Sequence, residues 1–328
     1  MVGGPDARLA DRYARPIATD DLADQAIEAI EAIAGRHPGH RAVHAKGTLC
    51  AATFTATPEA ALLSRAAHFA GGDVRAHVRF SNGSGNPSAP DYEPREGRGI
   101  ATKFYLPDDS TTDVVGITLP AFFVNTVEGF LEFTRARRPD PETGEPDPDA
   151  IGKFIGDHPE ALTAAGAVLT ATPPESYLRC AYNALHAYRF VDGDGTSRYV
   201  RYRFEPEEGE ASLTEEEAKE RGPDYLQRDL ADRLGRAPAA FTLSVQIAED
   251  GDPTDDPTVV WPDERRRVEL GRLEVTGLAD DREQGDDVLV FDPTRVTDGI
   301  ELSDDPIVRF RSDAYAASVL RRSGVARH

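Results

Sequence analysis

Along residues 20–35, DDLADQAIEAIEAIAG, apolar side chains recur at Ala26, Ile27, Ile30 and Ile33, a helical spacing that stops at Gly35. One amphipathic helix is expected there. Beyond it the period shortens: AVHAKGTLCAATFTAT, RAHVRFSN, IATKFYLP, TTDVVGITL and AFFVNT are β-branched or aromatic runs broken by Gly, Pro, Asp or Ser, and they read as strands. The stretch 128–169 returns to helical periodicity around an exposed Pro/Asp-rich connection. Two alternating runs flank Asp194-Gly195 in HAYRFVDGDGTSRYVRYRFEPEEGE, which marks a hairpin. A polar helical segment, Leu213 to Leu234, precedes two further strands, AFTLSVQIA and VELGRLEV. The chain closes on a helix from Pro306 to Arg322, with Asp305 placed to cap it and Pro306 in its first turn. About eight strands, with helices before, between and after, predict an α+β fold with an antiparallel β-barrel or strongly curved sheet. Without internal repeats or a clear linker, residues 1–328 read as a single domain, the first ~20 loosely ordered.

Composition narrows the partners. A formal net charge of −21 repels nucleic acid and anionic membrane along most of the surface, so neither is expected as a partner. The N-terminus lacks the apolar run of a signal peptide and no stretch approaches ~20 apolar residues, which predicts a soluble protein. Cys50 and Cys180 are too few for a thiolate metal cluster or a disulfide scaffold, and point to a reducing cytoplasm. Lysine occurs only at 46, 103, 153 and 219, so nearly every cation is arginine. That bias is compositional in part, but the planar fork of arginine also suits buried carboxylates.

Candidate chemistry begins at HPGHRAVHAKG, with histidines at 37, 40 and 44. Pro38-Gly39 breaks any helix that could aim all three at one metal, and no further ligand follows nearby, so His37 and His40 read as loop residues. The DGDG turn lacks the ligand spacing of a calcium loop. His44 lies within an expected strand, its ring turned toward the barrel interior, either as a core residue or as an acid/base. In the final helix Arg311, Tyr315 and Arg322 fall on one stripe at about 100° per residue. An adjacent guanidinium stabilises the anion of a phenol, which makes a ligand for haem iron; an exposed tyrosine among solvated arginines would show the same spacing.

Taken together, RAVHAKG, VRFSNGSG, REGRGIATKFYLPDDSTTDVVGITLPAFFVNTVEGFLEF and FDPTRVTDGIELSDDPIVRFRSDAYAASVLRRSG resemble, in order, four blocks of the haem catalase superfamily. The resemblance is closest to its short branch, the catalase-related peroxidases, and runs from about Arg41 to Gly324. It implies His44 as the acid/base on one side of the haem, with Ser81 orienting its imidazole. Tyr315 is implied as the iron ligand, Arg311 as the group holding it as phenolate, and Arg41, Arg79 and Arg322 as partners of the propionates. Val43 and Phe130 match apolar residues over the haem. The implied cofactor is haem b, and the implied activity is reduction of hydrogen peroxide through a ferryl intermediate by small organic electron donors. Where larger catalases have VGNN this chain has VGIT, so Ile117 stands in place of an asparagine amide. That departure favours peroxidase with weak catalase activity over a true catalase, while the retained His44 and Ser81 count against a haem-binding protein without turnover. Nothing matches the long N-terminal arm or the C-terminal region of the larger enzymes, so a monomer or small homo-oligomer is expected.

Overall fold

The computed structural model describes residues 20–93, 96–283 and 288–323. The loosely ordered start expected from the sequence lies, over residues 1–19, outside this range. Helix α1 (Asp20–Ala34) buries Ala23, Ala26, Ile27 and Ile30 on one face, as its spacing requires. There follow β1 (Gly47–Ala56), α2 (Pro58–Leu63), β2 (Asp73–Asn82), β3 (Arg98–Tyr105) and β4 (Thr111–Ile117), each strand antiparallel to the one before. A helical excursion, α3 (Val127–Ala136), α4 (Pro148–Asp157) and α5 (Leu162–Thr170), leads to β5 (Tyr182–Asn183), β6 (Tyr188–Val191) and β7 (Ser197–Pro206). Next come α6 (Glu215–Arg221), α7 (Tyr225–Leu234), β8 (Ala239–Ile247), β9 (Arg267–Leu278), β10 (Ile300–Leu302) and α8 (Pro306–Ser323).

Among the described residues, β1-β2-β3-β4-β5-β7-β8-β9 close into an eight-stranded antiparallel barrel, with β6 and β10 extending from β7. Closure removes the free edges that an open sheet would expose. The barrel interior is apolar and aromatic: Phe54 from β1, Val78 and Phe80 from β2, Phe104 from β3, Phe204 from β7 and Phe241 from β8 belong to one buried cluster. His68 packs beside them, its ring stacked on Phe104 at 5.0 Å. Neither of its ring nitrogens has a hydrogen-bond partner, and burial pushes its imidazole down to about 3, so it behaves as a neutral aromatic.

Strand alternation then decides where chemistry can sit. With Val78 and Phe80 inside, Arg79 and Ser81 must point outward; with Ile100 inside, Gly99 and Ala101 do. Cross-strand register lines up Gly47, Ser81, Gly99 and Ile117 across β1 to β4 on this outer face. Helix α8 lies on that side: Ser318 Oγ accepts from the Ala42 N–H at 3.3 Å, and Arg322 shares the Glu283 carboxylate with Arg79.

Three expectations are corrected. Residues 42–46 are irregular and β1 starts only at Gly47, so His44 is outside the strand and faces the outer wall of the barrel instead of its interior. AFFVNT forms no strand; it bends into α3, which Thr126 caps by accepting from the Gly129 N–H at 3.1 Å. The helical segment 213–234 is two helices, separated where Gly222 takes φ +87° and Pro223 cannot continue the ladder.

Candidate active site

The loop carrying His44 is fastened before the side chain does anything. Lys46 Nζ sits 2.8 Å from the buried Asp91 carboxylate and donates to the carbonyls of Ala89 and Pro223 at 3.0 and 2.8 Å. The His44 and Ala45 N–H groups donate to the carbonyls of Gly83 and Ser84 at 3.3 and 3.0 Å. This pins His44 at φ +56°, a left-handed conformation that costs a non-glycine residue ~1–3 kcal/mol and persists only where surrounding contacts impose it.

That backbone turns the imidazole back onto the barrel wall, where Nδ1 and Ser81 Oγ are 3.0 Å apart. Gly99, opposite Ser81 on β3, leaves the room: a Cβ there would stand 2.9 Å from His44 Nδ1, His44 Cε1 and Ser81 Oγ. Enclosure and the fields of Arg79, Arg311 and Arg41 push the His44 imidazole down to about 3, so it is neutral at physiological pH. With Nδ1 occupied by Ser81, Nε2 remains to exchange a proton. Ile117 is the next residue in this row, its side chain half-buried and turned toward Gly97.

The second constellation is on α8. Arg311 Nε donates to Tyr315 Oη at 3.0 Å and Arg311 Nη2 donates to the same oxygen, the outcome of an i, i+4 spacing on a regular helix. Arg311 Nη1 meets His186 Nε2 at 3.0 Å, and His186 Nδ1 meets Asp305 Oδ2 at 2.6 Å. Asp305 also caps α8, its Oδ1 accepting from the Ile307 N–H at 2.8 Å. Burial holds His186 below its usual range although Asp305 opposes the shift. A neutral ring hydrogen-bonded to Asp305 through Nδ1–H has Nε2 free to accept from Arg311. Burial works against the charge of Arg311, but Tyr315, Tyr188 and Asp292 outweigh it and hold the guanidinium above its usual range. The Tyr315 oxygen thus receives two charge-assisted hydrogen bonds from Arg311.

A third group lies at the edge. Arg41, Arg79 and Arg322, from a loop, β2 and α8, converge on the carboxylate of Glu283 at 2.7–2.8 Å. Burial opposes its charge, but the three guanidiniums hold this carboxyl at about 2. Phe130, half-buried like Ala42, Phe310 and Ala314, packs with them against the cluster of Ala23, Ile27, Ile30 and Ala317, and stacks on Phe122 at 6.2 Å between centroids. Val43 is the most open of the expected residues, 36 % exposed.

The structure therefore gathers the expected residues into three sets: His44 with Ser81, Arg311 with Tyr315, and Arg41 with Arg79 and Arg322. Sequence reasoning misses His186, Gly99 and Glu283, and sees Asp305 only as a cap. Each acts through a partner remote in the chain; the one local signal is a lone histidine at the start of an alternating run.

An outer barrel wall that carries a serine-held histidine thus lies on the side of the helix that offers an arginine-supported tyrosine. The family model of the catalases matches residues 16–328, and the chain belongs to that family, which is haem-dependent. It is 46% identical over 305 residues to the catalase-related peroxidase of Mycolicibacterium paratuberculosis, covering 93% of this chain and 96% of that one. It is 35% identical to the catalase-related peroxidase of Synechococcus elongatus, covering 93% of this chain and 90% of that one. A fungal catalase crystal structure superposes with a TM-score of 0.78 at 24% identity, over 88% of this chain and 60% of the other, a likeness of fold.

Proposed function

We propose that this chain is a haem b peroxidase that reduces hydrogen peroxide with electrons from small organic donors and has weak catalase activity. The observation that carries the reading is the pairing of two machines across one face of the barrel: the Arg311–Tyr315 donor set and the His44–Ser81 pair. The residues present fit haem. Tyr315 would hold the iron, Arg41, Arg79 and Arg322 the propionates, and Phe130 and Val43 the apolar faces. That the three arginines already gather one carboxylate supports their role. When bound, haem supplies the redox-active iron at which the O–O bond of peroxide is broken.

His44 takes a proton from one peroxide oxygen through Nε2 and returns it to the other, so that the leaving group departs as water. Ser81 sets the plane of the imidazole, and burial together with the surrounding arginines keeps it unprotonated and ready to accept. Arg311 holds the Tyr315 oxygen as phenolate, and His186 with Asp305 fixes the direction of Arg311. Ile117 offers no hydrogen bond to a second peroxide, which favours electron transfer from organic donors over dismutation. The same reading treats the chain as one catalase-like domain, a monomer or small homo-oligomer. It places the chain in the cytoplasm, with Cys50 and Cys180 both free and buried in keeping with a reducing compartment. No helix among the described residues is long and apolar enough to cross a membrane.

The test is oxygen release by electrode beside donor oxidation by absorbance, at matched haem concentration. The parent should oxidise small phenols readily and release little oxygen. Ile117→Asn should shift the ratio toward oxygen by up to about tenfold, since one hydrogen bond in a dry site is worth ~1 kcal/mol or somewhat more. Oxygen release by the parent that outpaces donor oxidation would make it a catalase instead.

A further inference from the structure

Glu283 belongs to no sequence motif, yet it is the most heavily engaged carboxylate at the site. Arg41 Nε donates to both of its oxygens, at 2.9 and 2.8 Å; Arg79 Nε lies 2.8 Å from one and Arg322 Nη1 2.7 Å from the other. These are the arginines assigned above to the propionates. A glutamate side chain is two methylenes ending in a carboxylate, which is the chemical structure of a haem propionate.

The arginines need such an anion. The Arg79 and Arg322 side chains are only 4% and 3% exposed, and uncompensated guanidiniums that deep carry a large desolvation penalty. Burial and the charge of Arg41 push Arg79 down to about 10 even with Glu283 beside it. The backbone engages further donors: Arg41 gives Nη2 to the Leu289 carbonyl at 3.0 Å, and Arg79 gives Nη2 to the Ala45 carbonyl at 3.4 Å. A propionate approaching Arg41 and Arg79 has to compete for hydrogens that Glu283 holds.

The placement of Glu283 lets it yield. It follows Arg282, whose carbonyl accepts from the Leu289 N–H at 2.8 Å. Beside it is a cleft of about 130 Å³, lined among others by Thr48, Leu49, Arg79, Arg282 and Phe291, with room for a side chain that swings off the arginines.

We infer that Glu283 is a built-in surrogate for a haem propionate, holding Arg41, Arg79 and Arg322 in order before haem arrives and competing with the propionates for them afterwards. This rests on the haem reading above. Removing the competitor should slow haem loss and tighten haem uptake, while the protein without haem loses an anion it needs.

The experiment compares parent, Glu283→Gln and Glu283→Ala. Transfer of haem from the loaded proteins to excess apomyoglobin, followed by absorbance, should be slowed in both variants by roughly threefold or more, the scale of one partly exposed ion pair. Hemin titration of the haem-free proteins should give correspondingly tighter binding, and their thermal midpoints should fall while those of the loaded proteins stay put. Faster or unchanged haem loss in both variants overturns the inference and makes Glu283 a permanent partner of the arginines. Because that measurement uses loaded protein alone, it stands even where a haem-free variant fails to fold. A parent that takes up no hemin overturns the haem reading itself.

Discussion

On the α8 side of the candidate site, Tyr315 and Arg311 are four residues apart on a regular helix, and the chain through His186 to Asp305 returns to the residue that caps that helix. On the barrel side, His44 sits at φ +56° in a loop, meets Ser81 from β2, and depends on the missing side chain of Gly99 in β3. The first arrangement is nearly complete once one helix forms, because helical geometry places positions i and i+4 side by side. The second exists only when two strands are in register and a strained loop is fastened across them. A site built this way has one half tolerant of small shifts elsewhere in the fold and one half sensitive to them.

The comparison breaks most sharply at its two poles. Tyr315→Phe should lose haem or change its charge-transfer bands, whereas His44→Ala should keep haem and slow peroxide consumption by ~10²- to 10⁴-fold. Absorption spectra and stopped-flow mixing separate the two effects; an unchanged spectrum in Tyr315→Phe, or a rate within about threefold of the parent in His44→Ala, would remove that residue from its role.

Gly99→Ala probes the sensitive half alone. A Cβ 2.9 Å from His44 and Ser81 has to displace one of them, so peroxide consumption should drop by about tenfold, the equivalent of ~1.4 kcal/mol, with the haem spectrum retained. Equal loss of haem and activity would show that the two halves are not independent.

The pH dependence gives the finest distinction. Held at about 3 by enclosure and by the fields of Arg79, Arg311 and Arg41, His44 stays neutral well below the ordinary histidine range. The rate of peroxide consumption should therefore have no acid limb near pH 6.5 in the folded enzyme. Stability carries the opposite mark: between about pH 6.5 and 3 the unfolded chain takes up a proton on His44 that the folded chain refuses, so this group contributes loss of stability as pH falls through that window. A rate limb near 6.5 with no change in fold would mean that enclosure and the arginines do not hold the imidazole neutral.

The local parts of this molecule are legible along the chain. Apolar spacing marks α1, alternation marks most of the barrel strands, and Asp305-Pro306 marks the start of α8, because periods of 3.6 and 2 are properties of a few consecutive residues. The Arg311–Tyr315 pair is legible for the same reason. Periodicity does not say which barrel face carries the site. Val78 and Phe80 alternate with Arg79 and Ser81, and only closure of the barrel decides that the apolar set fills the inside and the polar set meets α8.

Nor does residue type separate His44 from His68. Both imidazoles are pushed down to about 3, but one is stacked among phenylalanines with no hydrogen bond and the other is held by Ser81. Glu283 and His186 are invisible in the sequence because they meet Arg41 and Arg311 across 242 and 125 residues. Nearest-neighbour geometry is set by the covalent chain and can be read along it; contacts between segments far apart are set by strand register and barrel closure, and those form only when the whole chain packs.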